Sequence, residues 1–307
     1  AVDHALTGRS RHGSEMTDGI ESEMARTARR ALNRLAPVRE RIAGFVMSRM
    51  TPEGGFCGRG ARADLFYTRF ALDCLAALDV GFPAGRTTGW LEAFDHADGL
   101  DLVHLASLVH CRRLLSMEAL RAAARRLEGF RAADGGFATT PQAVVGSPYG
   151  SLMAWLACEE LGAPAVRSED VLPCLNTSRS ADGGYANGSG LDQGTTSATA
   201  AAVTLLHHIG VVDATAVEWL LARSGPDGGF RAFPGAPAPD LLSTATALFA
   251  LHAARADLDP VRAPCRDFVD ACWDDCGGFR AGWADAAADC EYTYYGLLAT
   301  GVLSGQP

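Results

Sequence analysis

The chain has 307 residues, 48% of them hydrophobic and 21% charged, and a formal net charge of −9. That length allows one large domain or two small ones. The negative charge argues against a nucleic-acid partner, because phosphate binding needs a basic surface, and no apolar run reaches the roughly 18 residues of a membrane helix.

Residues 1–20 are polar and lack helical periodicity. They read as a tag or loose tail, with Met16 a candidate natural start and residues 21–307 forming one domain. No secretory signal opens the sequence, and its nine scattered cysteines fit reduced thiols, so a cytoplasmic location is expected. Cys272, Cys276 and Cys290 lie near enough in sequence for a thiolate metal site, although spare thiols are the commoner outcome of such spacing.

From residue 37 onward the sequence repeats itself, and a repeat decides a fold before local propensity does. Gly54-Gly55-Phe56, Gly135-Gly136-Phe137, Gly183-Gly184-Tyr185, Gly228-Gly229-Phe230 and Gly277-Gly278-Phe279 are five copies of one triplet. The last three intervals are 48, 45 and 49 residues; the first is 81, room for two shortened units. His96-Ala97-Asp98-Gly99-Leu100 falls where a degenerate loop of the second unit belongs, which makes six units.

Each unit reads as helix, loop, helix. First helices are expected over 37–50, 87–94 and 118–132, for example, and longer apolar second helices over 64–79, 101–116, 149–161, 195–209, 240–254 and 289–303. The Gly pair ends the first helix where φ turns positive. Asp64, Thr195, Asp240 and Asp289 suit the start of the second helix, both as side-chain caps and, for the acids, as anions at its positive end. The second helices are apolar nearly all round and are therefore buried; the first carry Arg125, Arg126 and Glu128 toward solvent. The expected fold is all-α, a closed α6/α6 barrel with an inner and an outer ring.

This repeat resembles that of the prenyltransferase and squalene-cyclase family, whose fold is the α/α toroid. The most specific stretches run from Gly228 to Ala245 and from Gly277 to Tyr295. The resemblance implies work on an isoprenoid or another hydrophobic polyene inside the barrel. It also implies a zinc site in the prenyltransferases, with an Asp-x-Cys and a His. Here Asp240 matches, but Leu242 replaces the Cys and Tyr292 the His. One ligand of three is not a zinc site. Terpene cyclases carry their proton-donating Asp at the position of Leu242, so that acid is missing as well. In Asp289-Cys290-Glu291, two carboxylates stand two apart at an inner-helix start, and burial beside a like charge makes a general acid.

The candidate acids are therefore Asp240, Asp289 and Glu291. Phe66, Tyr67, Arg69, Tyr149, Phe233, Trp283, Tyr292 and Tyr294 are the candidate substrate contacts, because aromatic faces stabilise carbocations and Arg69 sits in the first turns of an inner helix. The expected activity is metal-independent acid chemistry of the terpene-cyclase type. A prenyltransferase using a prenyl diphosphate and a non-catalytic lipid-binding toroid remain the alternatives. A single barrel has its mouth closed by its own loops, by a homodimer partner or not at all, and the prenyltransferase alternative implies an α-subunit-like partner.

Overall fold

The computed structural model describes residues 19–96, 99–120, 122–162 and 167–305. The expected tail falls outside these residues except for Gly19 and Ile20, as do Ala97 and Asp98 of the degenerate loop. Among the described residues fourteen α-helices follow in chain order: α1 (Ile20–Arg29), α2 (Leu32–Leu35), α3 (Arg39–Ser48), α4 (Leu65–Ala77), α5 (Ala84–Glu92), α6 (Leu102–Leu114), α7 (Ala123–Glu128), α8 (Pro148–Leu161), α9 (Ser168–Thr177), α10 (Thr196–His208), α11 (Ala214–Leu221), α12 (Leu241–Ala253), α13 (Asp259–Ala271) and α14 (Cys290–Ser304). A two-residue ribbon, β1 (Phe230–Arg231) with β2 (Pro239–Asp240), is the one named sheet among the described residues.

Six helices form the inner ring. α4 packs on α6, α6 on α8, α8 on α10, α10 on α12 and α12 on α14, and α14 returns to α4. The ring is closed. Their burial explains the absence of a polar face: Leu241, Ala245, Ala247, Leu248, Ala250 and Leu251 of α12 are all fully buried. Helices α3, α5, α7, α9, α11 and α13 form the outer partners. The expected first helix over 118–132 is shorter than its pattern, because α7 spans only Ala123–Glu128.

The same clip joins outer helix, loop and inner helix in five of the six units. The triplet aromatic is buried, and its amide N–H donates to a hydroxyl one turn into the inner helix. The pairs are Phe56–Thr68 (2.9 Å), Phe137–Ser151 (3.1 Å), Tyr185–Thr199 (2.9 Å), Phe230–Thr244 (2.9 Å) and Phe279–Thr293 (3.2 Å). The capping residue then starts the helix with its own side chain: Asp64, Ser147, Thr195, Asp240 and Asp289 each accept from an amide two or three residues on. Four of these five caps were expected from the sequence; Ser147 joins them.

Units are tied to their neighbours at the level of the loops. Leu102 donates to the Thr139 carbonyl (3.1 Å), Thr196 to Ala232 (2.8 Å) and Leu241 to Ala281 (2.7 Å). The inner-helix N-termini therefore share one end of the ring, and the loops surround its mouth. The first glycine of a triplet has two reasons to be glycine. Gly54 has φ +107°, and a Cβ there would lie 2.3 Å from the Arg86 carbonyl oxygen of the next outer helix.

The N-terminal helix lies outside the six units. Ile20, Thr27, Ala28 and Ala31 make a buried stripe along α1 and just beyond it, spaced as a helix face requires. This helix crosses the C-terminal ends of the inner ring. The Ile20 amide donates to Glu159 at the end of α8 (3.0 Å), and Arg29 pairs with Asp79 beyond α4 (2.7 Å). A Cβ on Gly301 of α14 would lie 1.8 Å from the Thr27 carbonyl oxygen, so the crossing needs glycine there. The expected domain start at residue 21 is thus corrected by one residue at least: Ile20 is 1% exposed and belongs to the fold.

The clip predicts a mutational signature. Thr244→Val keeps the shape but leaves the buried Phe230 N–H without an acceptor, which costs about 1–3 kcal/mol. Thr244→Ser should retain most of the stability. Urea unfolding of the two variants checks this, and a Val variant as stable as the parent would contradict the role given to the hydroxyl.

Candidate active site

The inner ring encloses a lumen of about 310 Å³. Its walls differ. Helices α4 and α14 contribute Phe66, Phe70, Tyr294 and Tyr295, whereas α10, three places round the ring from α4, contributes Ser197, Ala200, Ala201 and Thr204. The aromatic rings touch one another: Phe66–Phe70 at 4.9 Å, Phe70–Tyr295 at 5.5 Å and Phe70–Tyr294 at 5.6 Å between centroids. Such a wall presents several π faces to whatever occupies the space.

Glu291, in the first turn of α14, is the carboxylate that lines this lumen. Burial raises its pKa to about 7, and the neighbouring Asp289 charge adds to the rise, opposed by Arg59. A carboxyl with that pKa is half protonated at neutral pH and can serve as a general acid.

The other two expected acids do structural work. Asp240 is the cap of α12: it accepts from the Ser243 amide (2.8 Å) and the Ser243 hydroxyl (2.7 Å), and it does not line the lumen. Burial raises its pKa, against those hydrogen bonds. Asp289 is 1% exposed, caps α14 through the Tyr292 amide (2.9 Å) and accepts from Arg59 Nε (2.9 Å). Arg59 also grips Asp285 (2.9 Å) and lies over the Tyr292 ring (5.6 Å). This latch joins the loop of the last unit to the loop of the first. Asp289 is therefore an ion-pair partner and the fixed charge beside Glu291.

Of the expected substrate contacts, Phe66, Arg69, Tyr149 and Tyr294 line the lumen. Tyr67, Phe233, Trp283 and Tyr292 do not. Tyr67 packs beneath the first loop, where a Cβ on Gly58 would meet its ring at 2.4 Å. Phe233 and Trp283 are 45% and 65% exposed on their loops. The triplet loops carry them outward, a direction that sequence position does not reveal. Phe70, Phe249 and Leu298 were missed, although Phe70 and Leu298 each lie one helical turn from an expected contact, Phe66 and Tyr294.

Zinc does not fit the family position. Both carboxylate oxygens of Asp240 are engaged by Ser243, Leu242 offers only hydrocarbon to the lumen, and the Tyr292 phenol is pushed up to about 12 by burial and by Glu291. The thiols do not converge either: among the described residues, Glu21, His110 and Glu160 are the set that brings three ligand-type atoms within 4.8 Å. That set is a network of protein charges. Arg69 bonds Glu21; His110 donates to Asp73 (2.6 Å) and Glu160 (2.6 Å) with its two ring nitrogens. Burial works against the imidazolium, but Asp73 and Glu21 outweigh it and hold its pKa well above the usual histidine range. Burial likewise raises Glu21 against the pull of Arg69 and His110.

His104 and His110 share α6 but point apart, as six residues on a helix require. His104 sits at the mouth between Asp64 (3.2 Å) and Asp101 (2.8 Å). The Asp64 hydrogen bond, followed by that of Asp101, overcomes burial and raises its pKa to about 9. Because that value lies above the ordinary 6.5, the stability this group adds is complete below 6.5 and is lost as the pH rises through 9. Proton NMR should show the His104 ring titrating near 9 in the parent and clearly lower in Asp64→Asn. A parent midpoint at the ordinary value would refute the pairing.

No curated protein matches the sequence. Among solved structures, a type II terpene cyclase variant from Scytonema with geranylgeranyl dihydroxybenzoate bound superposes with a TM-score of 0.59 at 14% identity, covering 89% of this chain and 97% of that one. A protein from Actinoplanes gives 0.57 at 17% identity, over 87% and 98% of the two chains. A mannanase from Salegentibacter gives 0.59 at 12% identity, also over 87% and 98%. At such identities the likeness concerns the fold alone, and a fold that serves both terpenes and a polysaccharide does not choose the chemistry. The prenyltransferase alpha-alpha toroid domain family matches residues 26–225 and 202–306. The six helix-pair units, five of them with the Gly-Gly-aromatic triplet, the closed inner ring and this match together place the chain in the prenyltransferase alpha-alpha toroid domain family.

Proposed function

We propose that the protein is a terpene-cyclase-like enzyme that protonates an isoprenoid or similar polyene in its lumen, with Glu291 as the acid. The observation that carries this reading is the position of one carboxyl, raised to about 7, at the head of an aromatic-walled apolar cavity. The Glu291 O–H proton adds to one carbon of an alkene. The alkene π pair becomes the new C–H bond, and the adjacent carbon is left positive. Phe70, Tyr294 and Tyr295 offer their faces to that charge. Further alkenes of the same chain attack in turn, and loss of a neighbouring C–H proton ends the sequence with the carboxyl restored. The reaction needs no oxidant and no metal to balance. A toroid of the same fold that holds geranylgeranyl dihydroxybenzoate supports the substrate class.

The prenyl-diphosphate reading is weaker on the same geometry. The mouth cations Arg59 and His104 are each already held by two carboxylates, Asp285 with Asp289 and Asp64 with Asp101. A diphosphate would have to displace them.

Glu291→Gln keeps the shape of the carboxyl and removes its proton. Turnover of a diphosphate-free polyene should fall at least a hundredfold, in line with the usual contribution of general acid catalysis, while the polyene is still retained. Asp240→Asn should keep activity, since Asn also caps a helix. Conversion that survives in Glu291→Gln would sink the assignment.

The pH profile follows from the same group. The active form is protonated, so kcat/KM should be flat below about 7 and fall tenfold per pH unit above it. A profile that rises with pH across that range would require a base instead.

A further inference from the structure

The lumen has walls from the six repeated units, but one of its lining residues comes from elsewhere. Met24 belongs to α1, the helix outside the repeat that crosses the C-terminal ends of the inner ring. It lies on the seated face of α1, one turn from both Ile20 and Ala28, which are buried. The helix is held at several points: the Ile20 amide on Glu159, Glu21 on Arg69 beside the His110 network, and the Thr27 carbonyl against Gly301. The backbone that carries Met24 is thus fixed, while the side chain itself is half-buried and faces the cavity.

At the opposite end of the inner ring, Glu291 sits in the first turn of α14 at the mouth. A chain that presents one alkene to Glu291 extends down the lumen toward Met24. The charged groups at that depth, Arg69, Glu21 and Asp73, are paired with one another and offer a hydrocarbon nothing. We infer that Met24 is the floor of the lumen and sets the longest hydrophobic chain it accepts, so that the N-terminal helix acts as a length gauge. This rests on the reading of the lumen as the polyene site. Methionine suits the role, because an unbranched side chain fills an irregular end and is readily shortened or enlarged without changing the backbone.

The test measures retention of radiolabelled geraniol, farnesol and geranylgeraniol by ultrafiltration of the full chain, its Met24→Ala and Met24→Trp variants, and a wall control, Leu152→Ala. Each methylene that gains burial is worth about fourfold in affinity. Met24→Ala should therefore bind the longest alcohols at least tenfold more tightly, with the shortest unchanged. Met24→Trp should lose the longest chain that the parent retains by a similar factor. Leu152→Ala, which widens without deepening, should move all lengths alike. The same length profile in the parent and both Met24 variants overturns the gauge and leaves the proposed function standing. No retention of any alcohol by the parent removes the polyene site and the gauge together. Should the Ala variant fold poorly by circular dichroism, the Trp variant decides alone.

Discussion

The hydrogen bond from a buried aromatic amide to a hydroxyl in the next helix is the constraint on which the rest of this protein depends. A buried N–H without a partner is costly, so the loop after each Gly pair cannot drift from the helix it precedes. The same bond recurs at Thr68, Ser151, Thr199, Thr244 and Thr293. It sets the height at which these inner helices begin. Their first-turn residues then meet around one opening, and Glu291, Phe66, Tyr149 and Leu242 reach the same cavity although they lie in four different units.

The electrostatics follow from that placement. Five of the caps are polar residues whose oxygens are used up at the helix starts, so a carboxylate in a capping position is a poor acid for an occupant of the lumen. Glu291 stands two residues further on, where the helix turns its side chain inward. Asp289 then contributes by what it cannot do. Held by Arg59 and by the Tyr292 amide, its carboxylate stands beside Glu291 and joins burial in raising it. The Arg59 latch closes the seam between last and first units, and its own positive charge opposes the rise at Glu291.

At the other end, burying a guanidinium, an imidazolium and three carboxylates would be prohibitive without mutual pairing. Arg69, His110, Glu21, Asp73 and Glu160 satisfy one another across α1, α4, α6 and α8. Removing one partner strands another, so the network favours a single seating of α1 under the ring. Polar order at the floor and polar order at the mouth leave the space between them apolar.

The repeat, the twelve paired helices and most of the capping residues were legible in the sequence, because glycine conformation, capping chemistry and apolar periodicity are local and leave marks at fixed spacing. The seating of Ile20 to Ala31 was not recognised there, although the stripe Ile20, Met24, Thr27, Ala28, Ala31 carries a helical period. Nothing in that stripe says which surface it covers. Which acid faces the lumen was settled only in three dimensions. Asp240, Asp289 and Glu291 look alike as carboxylates at helix starts, and two residues along a helix is about 200° around its axis. Exposure of Phe233 and Trp283, and pairing of Arg69 with Glu21 across 48 residues, likewise depend on how loops and ring close. Local sequence determined the units; closure of the ring decided which side chains share its interior.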